Sequence, residues 1–181
     1  MPHALHHGTS HRRQWLRAVG VGLGVTVVAA MSGCGFALRQ SPKLAFQSLY
    51  INVADGSLFG QLLKRNLKSI DGLEVITEAR EIERAEVILE LLLELPEKVI
   101  LSRTATGTVR EYVLRLRVRF RLRARNGDEL IPDTELLQER EISFNETAAL
   151  AKESEEQLLY RDMRADLIQQ LIRRLTAVRQ I

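Results

Sequence analysis

Beyond residue 33 the chain holds no histidine and no tryptophan, and the only cysteine among its 181 residues is Cys34. All four histidines (His3, His6, His7 and His11) and Trp15 lie near the N-terminus. The body of the chain therefore lacks the commonest general base and the commonest metal ligand. A single cysteine excludes an internal disulfide and leaves the fold to a packed core. No G-x-S-x-G, Walker or G-x-G-x-x-G pattern is present. Carboxylate pairs occur, but in alternating patterns that read as solvated or salt-bridged strand faces. The expectation is a protein that is not an enzyme and needs no cofactor or metal. Asp/Glu or Ser/Lys chemistry is the only catalytic route left to it.

The first 33 residues read as a targeting segment. Residues 1–17 carry Arg12, Arg13 and Arg17 and no acid, and residues 18–31 form an apolar run of 14. A basic start, a short apolar stretch and small residues before a cut are the marks of a signal peptide. A spanning helix needs about 20 apolar residues, so a permanent transmembrane helix is the weaker reading. Met31-Ser32-Gly33-Cys34 resembles a bacterial lipobox, which implies cleavage before Cys34 and lipidation there. Gly35, in place of Asp, resembles lipoproteins sent on to the outer membrane. Removing residues 1–33 takes away three of the 26 basic residues and leaves 23 against 23 acids. The mature charge is zero, so the basic character gives no ground for a nucleic-acid partner.

Residues 34–47 then read as a lipidated tether and 48–181 as one domain of ordinary size. Ser48–Val53 is expected as a strand. A helix follows, N-capped by Asp55 and closed by Asp71-Gly72. Leu73–Thr77 is a short strand, and residues 78–84 are a charged connector. In residues 85–95, Val87, Leu89, Leu91, Leu93 and Leu95 alternate with Glu86, Glu90 and Glu94, which reads as a strand with its glutamates on the outer face. That strand is expected to continue past Pro96 to a turn at 104–107. The period of two is clearest at 114–125, where apolar residues alternate with six arginines. Asn126-Gly127-Asp128 is a turn signal, and 129–144 returns as a second arm with Pro132 marking an edge or bulge. Thr147–Val178 has helical spacing, with a break allowed near Ser154. The fold class is α+β: a mostly antiparallel sheet of about four to five strands with two helices packed on one face.

The arginine row admits two readings. In one, acids on neighbouring strands neutralise it. In the other, it offers a cationic surface on which the planar guanidinium forks bind phosphate. A three-residue hairpin loop, pairing Arg125 with Glu129, Arg121 with Asp133, Arg119 with Glu135 and Arg115 with Glu139, keeps the polarity of each face consistent. Arg117 and Arg123 then lack an acid, as do Arg103 and Arg110 beside the 104–107 turn. These four are the candidate phosphate-binding residues, and Cys34 is the lipidation site.

Several segments together carry a family resemblance. Cys34-Gly35-Phe36-Ala37-Leu38-Arg39 resembles the GCGFxLR start of the lipopolysaccharide-assembly lipoprotein LptE (RlpB) family. Leu49-Tyr50-Ile51, Ala85-Glu86-Val87-Ile88-Leu89 and Arg110-Glu111-Tyr112 follow in the family's order. The stretch from Ala149-Leu150-Ala151-Lys152-Glu153 through Met163, Asp166, Gln170 and Leu175 is similar to its last helix. The resemblance implies a lipid-anchored protein of the outer membrane, facing the periplasm, that plugs the LptD β-barrel. Such a protein assists assembly of the barrel, binds lipopolysaccharide and helps insert it into the outer leaflet. The long arginine row is a departure from the family's pattern. The competing expectation is an outer-membrane lipoprotein that scaffolds another envelope complex, without a lipid ligand.

Overall fold

The computed structural model describes residues 42–179. The expected signal peptide, residues 1–33, and the expected lipidation site Cys34 lie outside them. Five strands form one sheet in the order β2-β1-β3-β4-β5, comprising β1 (Ser48–Asn52), β2 (Glu74–Ile76), β3 (Val87–Arg103), β4 (Val109–Ala124) and β5 (Glu129–Ser143). β1 runs parallel to both β2 and β3. β3, β4 and β5 form an antiparallel meander. Two helices, α1 (Leu58–Lys68) and α2 (Ala149–Ala177), pack on one face. The expected α+β class is the one observed.

The core follows from the periodicities. α1 buries Phe59, Leu63 and Leu67 at steps of four, and α2 buries Met163, Leu167, Ile168, Leu171, Ile172 and Leu175. They close over Leu49, Ile51, Val87, Leu89 and the even-numbered residues Leu114 to Leu122. Phe46 is also buried in this cluster, and Leu44 packs against it, so the last residues of the expected tether belong to the packed body. α2 is continuous over 29 residues, without a break at Ser154. The 78–84 connector is a 3-10 turn over Ala79–Arg84, and its Ile82 packs on Tyr50, Ile76 and Ile88 on the opposite sheet face. Among the described residues no other element covers that face.

Three local expectations are corrected. The N-cap of α1 is Ser57, not Asp55: its Oγ accepts from Gly60 N–H at 2.8 Å. The loop joining β4 to β5 is three residues long but starts one position early, with Ala124 N–H donating to the Asp128 carbonyl at 2.8 Å. Gly127, at φ +97°, takes the left-handed position that closes such a loop. Register shifts between Phe120 and Arg123 then restore the expected pairing, so Arg119 faces Glu135 and Arg115 faces Glu139, while Arg123 faces Glu129. Pro132 lies in the irregular stretch of an edge strand, where its missing N–H is tolerated.

The third correction changes which residues share a face. β3 bulges between Leu91 and Leu93. Leu91 lies opposite Phe120 on the helix side, but Leu93 lies opposite Arg119 on the other side. From Leu93 to Ile100, where a second irregularity begins, each residue is therefore on the face opposite to the one that simple alternation assigns. Leu93 and Leu95 move to the open face, and Glu94 turns toward the helices.

Candidate functional site

The open face of the sheet carries the arginine row of β4. Arg115 Nε lies 2.6 Å from Glu139. Arg119 pairs with Asp133. Arg121 and Arg123 both reach Glu90, at 2.5 and 3.2 Å. Arg117 sits between Glu97 at 3.8 Å and Glu135 at 3.7 Å. The expectation that Arg117 and Arg123 lack an acid is thus overturned. The expected hairpin register put no acid of β5 directly opposite either, but β3 supplies Glu90 and Glu97, and Glu135 of β5 reaches Arg117 diagonally. Arg121 likewise takes Glu90 in place of Asp133. Arg119 and Arg121 are fixed by hydrogen bonds to Asp133 and Glu90, whereas Arg115, Arg117 and Arg123 meet their acids as ion pairs.

Glu90 is the most enclosed member, its side chain 13% exposed. The Arg121 hydrogen bond, with the charges of Arg123 and Arg121, holds its carboxyl below the usual glutamate range despite the opposing effect of burial. A lowered folded-state value stabilises the fold above the ordinary range, and that contribution fades as pH falls through the folded-state value. Glu90→Gln is therefore expected to flatten the loss of stability on acidification below the ordinary glutamate range. Urea midpoints at stepped pH check this, and parallel slopes for wild type and variant would count against it.

The other two candidates lie elsewhere. Arg103 donates to the Gly107 carbonyl at 2.9 Å within the β3–β4 turn. The Arg110 side chain is exposed and has no partner among the described residues. Arg110 and Arg123 stand 13 residues apart along β4, about 43 Å at ~3.3 Å per residue. The four candidates therefore do not form one patch: Arg117 and Arg123 belong to the ion-pair lattice, Arg103 and Arg110 to the hairpin end.

Near that end lies a cavity of about 340 Å³, lined by residues including Lys98, Tyr112, Phe144, Lys152 and Glu156. Tyr112 and Phe144 meet edge to face, with ring centroids 5.5 Å apart. Lys98 Nζ lies 4.5 Å above the Tyr112 ring and 2.5 Å from Glu156. Lys152 Nζ donates to Ser143 Oγ at 3.0 Å and to Glu155 at 2.9 Å. Glu153 and Glu156 line the same cavity and match its two ammonium groups, so it joins an aromatic wall to a balanced set of charges. The sequence reading missed these residues, because Lys98 reaches the helix side only through the bulge.

The family profile described as LptE, lipopolysaccharide-assembly, matches residues 46–175. No curated protein sequence matches. Among solved structures, lipoprotein B from Nitrosomonas europaea is 35% identical, with a TM-score of 0.67 over 79% of this chain and 91% of that one. A minor lipoprotein from Acinetobacter baumannii (21% identical, TM-score 0.59, covering 75% and 94%) shares the fold. So does rare lipoprotein B from Shewanella oneidensis (21%, 0.60, 72% and 94%). The match over most of the chain, with the five-stranded sheet and its two helices, places the protein in the LptE family of lipopolysaccharide-assembly lipoproteins.

Proposed function

We propose that residues 1–33 are removed as a signal peptide, that Cys34 is lipidated, and that the domain sits in the outer membrane as the plug of an LptD-type β-barrel. In this reading it assists assembly of the barrel and insertion of lipopolysaccharide into the outer leaflet. Family membership is the observation that carries the reading. The open face supports it: large barrels have polar lumens, and a face that neutralises its own charge can lie against such a wall without a single-sign penalty. No described helix is long and apolar enough to cross a membrane. Attachment in this reading comes from acyl chains on Cys34, of which at least two are needed for stable anchoring.

Isolation of the native protein in mild detergent is expected to bring a β-barrel partner with it, and photo-crosslinkers along 101–112 and on the open face to capture that barrel. Cys34→Ala is expected to leave unlipidated, misprocessed precursor by mass spectrometry. Capture of a different envelope complex and no barrel would favour the scaffold reading. For the ligand, Arg103→Gln with Arg110→Gln is expected to weaken lipopolysaccharide binding in a salt-sensitive way. Arg117→Gln with Arg123→Gln is expected to leave binding intact, since both groups are held by acids.

A further inference from the structure

The helix layer ends in a set of cations that neither the ion-pair lattice nor the hairpin uses. α1 carries Lys64, Arg65 and Lys68 and no acid. α2 carries Arg173 and Arg174 near its end, and residues 167–181 hold no acid. Arg65, Lys68, Arg173 and Arg174 are exposed. None of these cations meets an acid among the described residues, whereas the arginines from 115 to 123 on the open face all do. The acid nearest in sequence, Asp71, is already engaged, and Glu74 is held by Arg84 at 2.6 Å. Helix dipoles favour cations in a last turn, so each helix end alone is unremarkable in charge. Their meeting at one place is a matter of topology.

Glu94 fixes the starting point, since it touches Phe59 N–H of α1 and Arg164 of α2, both at 3.1 Å. From there both helices run back toward the start of β3. After α1, Glu74 N–H donates to the Gln47 carbonyl at 2.7 Å, just before β1. α2 meets Glu97 through Tyr160 and Glu94 through Arg164, so it is antiparallel to β3. Lys68 and Arg173 each lie nine residues beyond Phe59 and Arg164. At ~1.5 Å per helical residue and ~3.3 Å per strand residue, both come level with Glu90. The chain joins the sheet at this same end, where Leu49 pairs with Val87. Lys43, also exposed, precedes β1 there.

We propose that this chain-entry end of the domain docks on the headgroup surface of an anionic glycerophospholipid leaflet, with Lys43, Lys68 and Arg173 meeting lipid phosphates. The proposal rests on lipidation of Cys34 and on no other part of the plug reading. Residues 34–41 would join the acylated cysteine to the described chain, and those eight residues reach at most about 28 Å. An acyl anchor therefore holds the leaflet within reach of this end. The cations stand on three separate elements, and the cavities beside Tyr112 and Ser57 are lined by other residues. That distribution fits a plane of phosphates, not a pocket for one. The open face and the hairpin stay free for the barrel.

The test uses the full mature chain, purified from membranes and reconstituted into vesicles whose headgroups carry a quencher. A fluorescent amino acid replaces Ser69, at the end of α1, or Ser154, near the start of α2. Vesicles are phosphatidylcholine alone, or equal parts phosphatidylcholine and phosphatidylglycerol. The Ser69 probe is expected to be quenched more in the anionic vesicles, and the Ser154 probe equally in both. Salt at about 1 M, where the Debye length is about 3 Å, should remove the difference. Lys68→Gln with Arg173→Gln should lower the ratio of docked to undocked protein about 25-fold, at roughly five-fold for each cation near an anionic surface. Lys68→Arg with Arg173→Lys should keep it, and circular dichroism should be unchanged in both. A Ser69 probe quenched equally in the two kinds of vesicle overturns the proposal. So does quenching of that probe that needs added lipopolysaccharide. Mass spectrometry of Cys34 on the same sample scores lipidation separately. Acylated protein without docking sinks this proposal alone, and an unacylated Cys34 sinks the anchoring reading whatever the quenching shows.

Discussion

Replacing Glu94 with alanine is expected to lower the unfolding free energy by about 3–5 kcal/mol, the usual cost of stranding a buried charge. The bulge in β3 turns this carboxylate toward the helices, where it joins three elements. Its Oε2 accepts the Ser57 hydroxyl at 2.6 Å and the Phe59 N–H at 3.1 Å, at the first turn of α1. Its Oε1 lies 3.1 Å from Nε of Arg164 on α2. Both charged side chains are only 13% exposed. Alanine at 94 leaves the Arg164 guanidinium without its counter-charge, and Ser57 Oγ keeps only its capping bond from Gly60. An anion at a helix N-terminus adds a favourable dipole interaction, and that is lost as well. Urea unfolding of the single variant measures the effect. The double variant Glu94→Leu, Arg164→Met separates stranding from net worth, because replacing both partners by apolar groups is often neutral. A loss below about 1 kcal/mol for Glu94→Ala would show that water replaces the pair, contrary to the burial.

Phe120→Ala is expected to cost a similar amount, about 3–5 kcal/mol, by leaving a cavity in the core. Phe120 is fully buried on the helix side of β4, within the cluster that α1 and α2 close over. Its neighbour Arg119 points to the open face with its side chain 44% exposed. Arg119→Gln is therefore expected to shift the melting temperature little, although the two residues are adjacent. Thermal unfolding of both variants checks the two faces at one step of the chain. Comparable losses would mean that the open face is covered by something in solution.

The contrast between Phe120 and Arg119 was legible in the sequence, because β4 alternates without interruption and pairs on both sides. Both helices were legible for the same reason: Phe59, Leu63 and Leu67, like Leu167, Leu171 and Leu175, repeat at helical spacing. The bulge near Leu92 was not. Leucines occupy 91, 92 and 93 as well as 89 and 95, so apolar identity cannot report which of them skips a step. What selects the bulge is distant in sequence: Glu94 finds Ser57 and Arg164 only after α1 and α2 are in place. The acids of the arginine row were half legible. Glu139 could be assigned from hairpin register and Glu90 stands on the outer face expected of it, but Glu97 reaches that face only through the bulge. At the hairpin end, the acid-free run from Lys98 to Arg110 stood in the sequence. Its exposure depends on where the helices stop covering the sheet.

β3 is 17 residues long, so it extends at most about 55 Å at ~3.3 Å per residue. The chain joins the sheet beside its first residues, where Leu49 pairs with Val87, and Arg103 stands at its far end. A bilayer with its headgroups is only about 40–45 Å thick. The place where the chain joins the sheet and the tip of the hairpin are therefore separated by a length of the order of a membrane's thickness. Lying along a bilayer, the domain brings both ends to one surface. Standing upright across it, the domain holds one end at the near leaflet and delivers the tip to the far one. Orientation, set by whatever grips the open face, then decides which leaflet the tip is level with.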